Sequence, residues 1–330
     1  MGMTRLGSAL FGGLALLAAA SSPAPAQGDA AAGYPNRPIK IVIPFGAGGG
    51  NDLFARLVGQ KISERLGQPV VVENRPAAGG RVAAEFVAGQ PSDGYTLLVG
   101  ASGGMSIAAA VYPKLAYHPT KSFVPLAMIA SFPLVLAVPA ASPIHSVAEL
   151  IAFAKEHPDQ ANYATSSPAF TITSELFKLK TGMPGVPIPY KSSNEMMLSV
   201  ASEQSLMAIA DPPPTVPLAT SGKVRALAVT GSERLSELPG VPSMAEAGLP
   251  DVNVHLWSGV FAPAATPPAI TSRLETALRS AIAAPDVQKK LKAMAVTPGG
   301  GSSEQFRQMI DADIRLFADV AKAANLKFEE

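Results

Sequence analysis

Short runs of β-branched residues alternate with helical patterns along most of the chain. This alternation is typical of an α/β fold, in which crossover helices connect largely parallel strands. A length of 330 residues is natural for two such domains. The runs predict eight strands, at residues 39–44, 70–73, 95–99, 134–138, 162–165, 186–190, 206–210 and 225–230.

Residues 123–144 form an uncharged stretch of 22 residues, which is long enough to suggest a membrane span. Prolines interrupt this stretch, and each would remove a backbone donor and clash with the preceding turn of a helix. They are Pro125, Pro133, Pro139 and Pro143. The sequence therefore predicts two buried strands here.

Two apolar segments, 123–144 and 254–267, could carry an extended chain from one lobe to another. Two crossings predict a hinge, with residues 34–127 plus 254–330 in lobe 1 and residues 128–253 in lobe 2. From 266 to 325 the pattern predicts helices only. Three serines stand three residues before Glu or Gln, which predicts a capping box at the start of a helix. These are Ser146, Ser243 and Ser302.

The first 26 residues have the layout of a secretory signal peptide, with Arg5, an apolar run at 6–20 and an Ala-Pro-Ala end. Residues 27–33 read as a linker, and the periplasm is the expected location. The only charged residue of this leader is Arg5, so its removal takes the net charge from +1 to zero. The charge gives no sign of a nucleic-acid partner. There is no cysteine for disulfide or thiolate chemistry.

A glycine-rich loop, "FGAGGGND" at 45–52, lies between the first predicted strand and a helix. Its glycines do not fit G-x-G-x-x-G, and no lysine lies between Lys40 and Lys61, so neither nucleotide-binding motif is present. The free amides of a helix start can still bind an anion, such as a carboxylate. The alternative is that the glycines only form a tight turn. Asp52 would then cap the helix or pair with Arg56.

A second motif, "GASGG" at 100–104, matches the nucleophile elbow of hydrolases and would make Ser102 a nucleophile. In this alternative, His255 would pair with Asp211 or Asp251. No histidine pair or cysteine has the spacing of a metal site.

Seven blocks of sequence, in order, resemble the periplasmic substrate-binding proteins of tripartite tricarboxylate transporters, the Bug family. They are "YPNRPIKIVIPFGAGGGNDLFAR", "LGQPVVVENRPAAGG", "SDGYTLLVG", "IPYK", "GKVRALAVT", "LPGVPSMAEAGLP" and "WSGVFAPAATP". The resemblance implies a type II periplasmic binding protein, with two α/β lobes joined by two crossing strands around a ligand cleft. It implies a receptor, not an enzyme, that closes on a small carboxylate and delivers it to membrane transporter subunits. We expect a monomer without metal or cofactor.

In the resembled family, the loop after the first strand and a later glycine-serine loop hold a ligand carboxylate. The corresponding residues are Phe45, Gly46, Ala47, Gly48, Gly49, Asn51, Asp52, Ala101 and Ser102. We expect lobe 2 to complete the site with Ser166, Ser167, Thr171, Tyr190 and Asp211. The chain departs from the family mainly in lobe 2, where Thr171 replaces a histidine and Ser192-Ser193 replaces Gly-Gly. Ligand identity is therefore less predictable than carboxylate binding.

Overall fold

The computed structural model describes residues 1, 2 and 33–323. The predicted signal peptide and linker therefore lie almost entirely outside the described residues. Within the described part, no helix has the length and apolar character needed to cross a membrane. The chain folds into two α/β lobes, each built on its own sheet.

Lobe 1 contains a six-stranded sheet with the strand order β11-β4-β10-β3-β1-β2. Strands β1 to β3 are parallel, whereas β10 runs antiparallel to both β3 and β4, and β11 pairs antiparallel with β4. The strands are β1 (Ile39–Ile43), β2 (Val70–Asn74), β3 (Thr96–Ala101), β4 (Phe123–Pro133), β10 (His255–Pro263) and β11 (Thr297–Gly300).

Lobe 2 contains a five-stranded sheet with the order β7-β6-β8-β5-β9. Strand β6 is parallel to β7 and β8, and β5 runs antiparallel to β8 and β9. The strands are β5 (Val135–Pro139), β6 (Asn162–Thr165), β7 (Val186–Pro189), β8 (Met207–Ala210) and β9 (Val224–Val229).

Helices cover both faces of each sheet and bury alternate strand residues. In β1, Ile41 and Ile43 pack in the cluster that includes α1 and α8, whereas Val42 packs with α2 and α10. The helices are α1 (Gly50–Leu66), α2 (Arg81–Ala88), α3 (Ala108–Val111), α4 (Val147–Glu156), α5 (Pro168–Thr181), α6 (Ser193–Ala201), α7 (Pro212–Thr220), α8 (Pro268–Ile282), α9 (Pro285–Ala293) and α10 (Ser303–Ala323). A 3₁₀ turn at Ala78–Gly80 precedes α2, and a π-helical segment at Gly103–Ile107 precedes α3.

All eight predicted strands are confirmed, with ends within two residues of the prediction. The uncharged stretch holds two strands, β4 and β5, as expected. The prediction of helices only after residue 266 is wrong, because β11 lies between α9 and α10. This short edge strand contacts β4 closely: a Cβ on Gly299 would lie 2.2 Å from the carbonyl oxygen of Met128.

The capping boxes at Ser146 and Ser302 open α4 and α10, as predicted. At Ser243 both reciprocal bonds also form, since Ser243 N donates to Glu246 and Glu246 N donates to Ser243 Oγ. Residues 244–248 nevertheless form turns instead of an α-helix. The capping-box bonds therefore form here around a turn, and no α-helix follows.

The chain crosses between the lobes at Leu134 and again near Val254. Residues 128–133 pair with β10 in the lobe 1 sheet, so the first crossing lies beyond the predicted boundary at 127/128. The reason is that β4 runs through Pro133 and β5 begins at Val135, in the other sheet. The exact extent of each lobe stays a prediction.

Thr230 connects the two crossings. Its backbone N–H donates to the carbonyl of Leu134 at 2.8 Å, and its hydroxyl accepts from the Leu134 amide at 2.8 Å. The same hydroxyl donates to the carbonyl of Val254 at 2.6 Å. Thr230 is fully buried, so no solvent can replace these bonds.

We predict that Thr230→Val destabilises the protein. Valine has nearly the same shape but leaves the Leu134 amide and the Val254 carbonyl without their hydroxyl partner, at a cost of about 1–3 kcal/mol for each group. Thr230→Ser keeps the hydroxyl and serves as the matched control. Urea unfolding measures both variants, and equal midpoints would contradict the role of this hydroxyl.

Candidate ligand site between the lobes

The glycine loop that precedes α1 is contacted by lobe 2. The amide of Gly46 donates to the carbonyl of Lys191 at 2.8 Å. A Cβ on Gly46 would lie 3.2 Å from Ser192 Cβ, and one on Gly49 would lie 3.0 Å from Ser193 Oγ. The missing side chains thus allow the start of α6 to approach the loop closely.

Asp211 makes the closest of these contacts. It is the N-cap residue of α7, but its carboxylate does not cap that helix. Oδ2 instead accepts from the amide of Gly50, in the first turn of α1, at 3.1 Å. A Cβ on Gly50 would lie 2.2 Å from the same oxygen. A carboxylate of lobe 2 therefore occupies a donor at the positive end of a lobe 1 helix.

Burial raises the pKa of Asp211 to about 6, although hydrogen bonds from Ser193 and the Gly50 amide act in the opposite direction. The residue is 1% exposed. The helix start therefore only partly compensates for the loss of water around this carboxylate.

Asp52 has a different role, because its carboxylate is used within lobe 1. Its oxygens accept from Gly48 N at 3.1 Å, Asn74 Nδ2 at 2.9 Å and Arg56 Nε at 3.0 Å. Burial alone would raise the pKa of Asp52. The hydrogen bonds from Arg56, Gly48 and Asn74 outweigh burial, so the pKa of Asp52 lies below its ordinary value. Asn74 also donates to the carbonyl of Phe45 at 3.0 Å. Asp52 thus holds the glycine loop in shape.

An inner cavity lies between the lobes, with a volume of about 20 Å³, which is enough for one water molecule. Seven predicted site residues line it: Phe45, Gly49, Asn51, Ala101, Ser102, Ser166 and Ser167. Its other lining residues are Gly50, Gly103, Phe132, Ala169, Phe170, Ser193, Leu256 and Trp257. The predicted residues Gly46, Ala47, Gly48, Asp52 and Asp211 are outside this lining.

A second cavity of about 360 Å³, here called the outer cavity, shares Ser166 and Ser167 with the inner one. The predicted residues Thr171 and Tyr190 belong to it. Its remaining lining residues are Ala78, Gly79, Arg81, Tyr112, Thr165, Pro168 and Pro189. The structure thus divides the predicted lobe 2 residues between two neighbouring cavities.

The hydroxyl groups of Thr171 and Tyr190 already have partners in lobe 2. Thr171 Oγ1 lies 2.8 Å from Thr165 Oγ1 and donates to the carbonyl of Ser167 at 3.1 Å. Tyr190 Oη lies 3.3 Å from Ser205 Oγ. In contrast, Asn51 Oδ1 and Ser166 Oγ are buried without a hydrogen-bond partner. Such atoms normally bind a polar group, so the two mark where a ligand could bind.

Ser102 is not arranged as a nucleophile. Its Oγ accepts from the amide of Trp257 at 2.7 Å and lies 3.2 Å from the Trp257 carbonyl, to which it donates. His255 and Asp251 line a different cavity, and Asp211 contacts α1. The Ser-acid-His arrangement of the hydrolase alternative is therefore not assembled.

Sequence reasoning missed several lining residues. Ser193 begins α6, and Arg81 begins α2 directly after the "AAGG" block. Phe132 and Phe170 look like ordinary core residues in the sequence. These two rings gave no local signal, because they line the cavity only where the two lobes meet. The capping serine at 192 was the available clue to a helix start near Ser193.

The family model described as "Tripartite tricarboxylate transporter family receptor" matches residues 54–326. Protein BugT from Bordetella pertussis is 34% identical over the full length of both chains. R. palustris Rpa4515 with adipate is 35% identical, with a TM-score of 0.84, covering 88% of this chain and 98% of that one. MatC (Rpa3494) from Rhodopseudomonas palustris with bound malate is 31% identical, with a TM-score of 0.84, covering 87% and 99%.

We predict that Asp211→Asn stabilises the protein at neutral and alkaline pH. The folded pKa of about 6 exceeds the ordinary 3.8, so ionised Asp211 opposes folding above pH 6. This opposition, up to about 3 kcal/mol, declines as the pH falls from 6 towards 4. Asparagine does not ionise and can still accept from Gly50 N.

Urea unfolding at pH 4, 6 and 8 measures this effect. The variant should gain most over the wild type at pH 8 and least at pH 4. Asp159→Asn, at an exposed position, is the control. A variant that is less stable than the wild type at pH 8 would show that the ionised carboxylate stabilises the fold.

Proposed function

Because this chain belongs to the tripartite tricarboxylate transporter receptor family, whose members are solute-binding receptors and not enzymes, we propose that it captures a small carboxylate between its lobes. The observation that carries this proposal is the inner cavity. Both lobes line it, and it contains two unpartnered atoms, Asn51 Oδ1 in the first turn of α1 and Ser166 Oγ just before α5.

Two helix starts favour an anionic ligand. Gly49 precedes α1 and Ser167 precedes α5, and neither helix receives a side-chain cap from its own N-cap residue. Both residues line the inner cavity. The amides and dipole of a helix start stabilise a negative charge, so a carboxylate can bind here without a cationic side chain. The adipate and malate of the two similar structures are both carboxylates.

Contacts between the lobes suggest how capture occurs. Gly46 N to Lys191 O and Gly50 N to Asp211 Oδ2 join the glycine loop to lobe 2. These contacts reduce the inner cavity to about 20 Å³, so that it can take at most one end of a dicarboxylate. A ligand would therefore enter while the lobes are apart, and it would favour closure by contacting both lobes.

Delivery to a membrane transporter in the periplasm completes the proposal. A closed receptor differs from an open one at the rim of both lobes, so a transporter can distinguish the loaded form. Support comes from the family, whose members are periplasmic binding proteins, and from the predicted signal peptide.

Titration calorimetry with mono-, di- and tricarboxylates tests the proposed function. We predict that at least one acid binds and that Ser166→Ala weakens its binding about tenfold, because Ser166 Oγ would lose a hydrogen bond to a charged group. Ser174→Ala is the matched control. Ser174 Oγ is also buried without a partner, but it lies within α5 and outside both cavities.

The two alanine variants should differ in affinity, whereas their melting temperatures should stay close to that of the wild type. Binding of no acid by the wild-type protein would refute the proposed function. Equal loss of affinity in both serine variants would show that Ser166 does not contact the ligand.

A further inference from the structure

The outer cavity carries a positive charge. Among the residues that the structure describes, Arg81 is the only charged side chain in the lining of either the inner or the outer cavity. It is half-buried at the start of α2. Opposite it, lobe 2 presents hydroxyl-bearing residues. The outer cavity therefore differs from the inner one, which has helix starts and aromatic walls but no cation.

The guanidinium of Arg81 is oriented by two contacts. Its Nε donates to the carbonyl of Ala78 at 3.4 Å, and its Cζ lies 4.0 Å from the centre of the Tyr112 ring. Neither contact neutralises its charge. Stacking on an aromatic ring leaves the edge of the guanidinium available, and that edge matches the two oxygens of a carboxylate.

The two cavities are neighbours across Ser166 and Ser167. Gly103 and Gly79 both press against the start of α5: a Cβ on Gly103 would lie 3.1 Å from Ser167 Oγ, and one on Gly79 would lie 2.5 Å from Pro168 Cδ. A ligand with one acidic group beside Ser166 can extend its other end past these residues into the outer cavity, whose lining includes Arg81.

We propose that Arg81 is a specificity-determining residue that binds a second acidic group, so that the receptor prefers dicarboxylates to monocarboxylates of the same chain length. This inference rests on the proposed function. It assigns the inner cavity to one carboxylate and the outer cavity to the other. Lobe 1 then contacts both acidic groups of the ligand, one through the start of α1 and the other through Arg81.

A general attraction of anions is the competing explanation. An arginine near the mouth of a cleft can raise the association rate of any negatively charged ligand. That effect would act equally on a monocarboxylate and a dicarboxylate of equal length once their difference in net charge is screened by salt. A direct contact with the second acid would act on the dicarboxylate alone.

The experiment compares matched pairs of acids at 0.3 M salt. The dicarboxylates are succinate, glutarate, adipate and pimelate, and the monocarboxylates are butyrate, valerate, hexanoate and heptanoate. Titration calorimetry gives the Kd of each acid for the wild type, Arg81→Met and Arg37→Met. Arg37 also stacks on a tyrosine, with its Cζ 3.9 Å from the ring centre of Tyr95, but it pairs with Asp93 and is outside both cavities.

We expect Arg81→Met to raise the Kd of the preferred dicarboxylate at least tenfold and to change the Kd of its monocarboxylate partner less than twofold. Arg37→Met should change neither value. Arg81→Lys should recover part of the lost affinity, because it restores the charge without the planar fork.

An equal change for both acids, or no change for either, would overturn the role of Arg81 while the wild-type binding upholds the proposed function. A wild-type protein that binds monocarboxylates as tightly as dicarboxylates would also overturn the role of Arg81, but it would uphold the proposed function. Binding of no acid in either series would overturn both proposals together.

Discussion

The start of α1 is buried against the other lobe, and buried amides at a helix start need acceptors from outside the helix. This requirement shapes much of the structure. The N-cap residue is Gly49, which has no side chain to supply an acceptor, so Gly50 N bonds to Asp211 Oδ2 from lobe 2. The glycines that let lobe 2 approach also remove the local cap. The contact between the lobes and the acceptor for the Gly50 amide are therefore provided by the same residue, Asp211.

Two carboxylates, Asp52 and Asp211, lie at this helix start and are treated differently. Arg56 pairs with the Asp52 carboxylate and Asn74 donates a hydrogen bond to it, and all three residues belong to lobe 1. Asp211 lacks a cationic partner among its hydrogen bonds and is buried between the lobes. A ligand carboxylate in the inner cavity would add a third negative group near the same dipole. Its affinity would therefore depend on how fully Asp211 is ionised, because like charges at one site oppose each other.

The sequence predicted the strands well because β-branched runs bounded by Gly or Pro are local signals. It could not predict β11, whose Thr-Pro-Gly-Gly sequence becomes a strand only by pairing with β4. The sequence predicted that the glycine loop lies in the site. It could not predict the contact of Gly50 with Asp211, because these positions are 161 residues apart. Arg81 follows the "AAGG" block, whose glycines indicate a role for the backbone and not for the neighbouring side chain. Its position in a cavity depends on residues of lobe 2, and no pattern along the chain reveals it.

The shared hydroxyl of Thr230 bears on the geometry of opening. Because Leu134 and Val254 both bond to one buried side chain, the two connecting segments cannot slide past each other without breaking a bond. In the proposed opening, a rotation about this point can keep all three bonds, whereas a translation of one segment past the other breaks at least one of them. Thr230 would therefore favour a rotation of the lobes over a sliding motion.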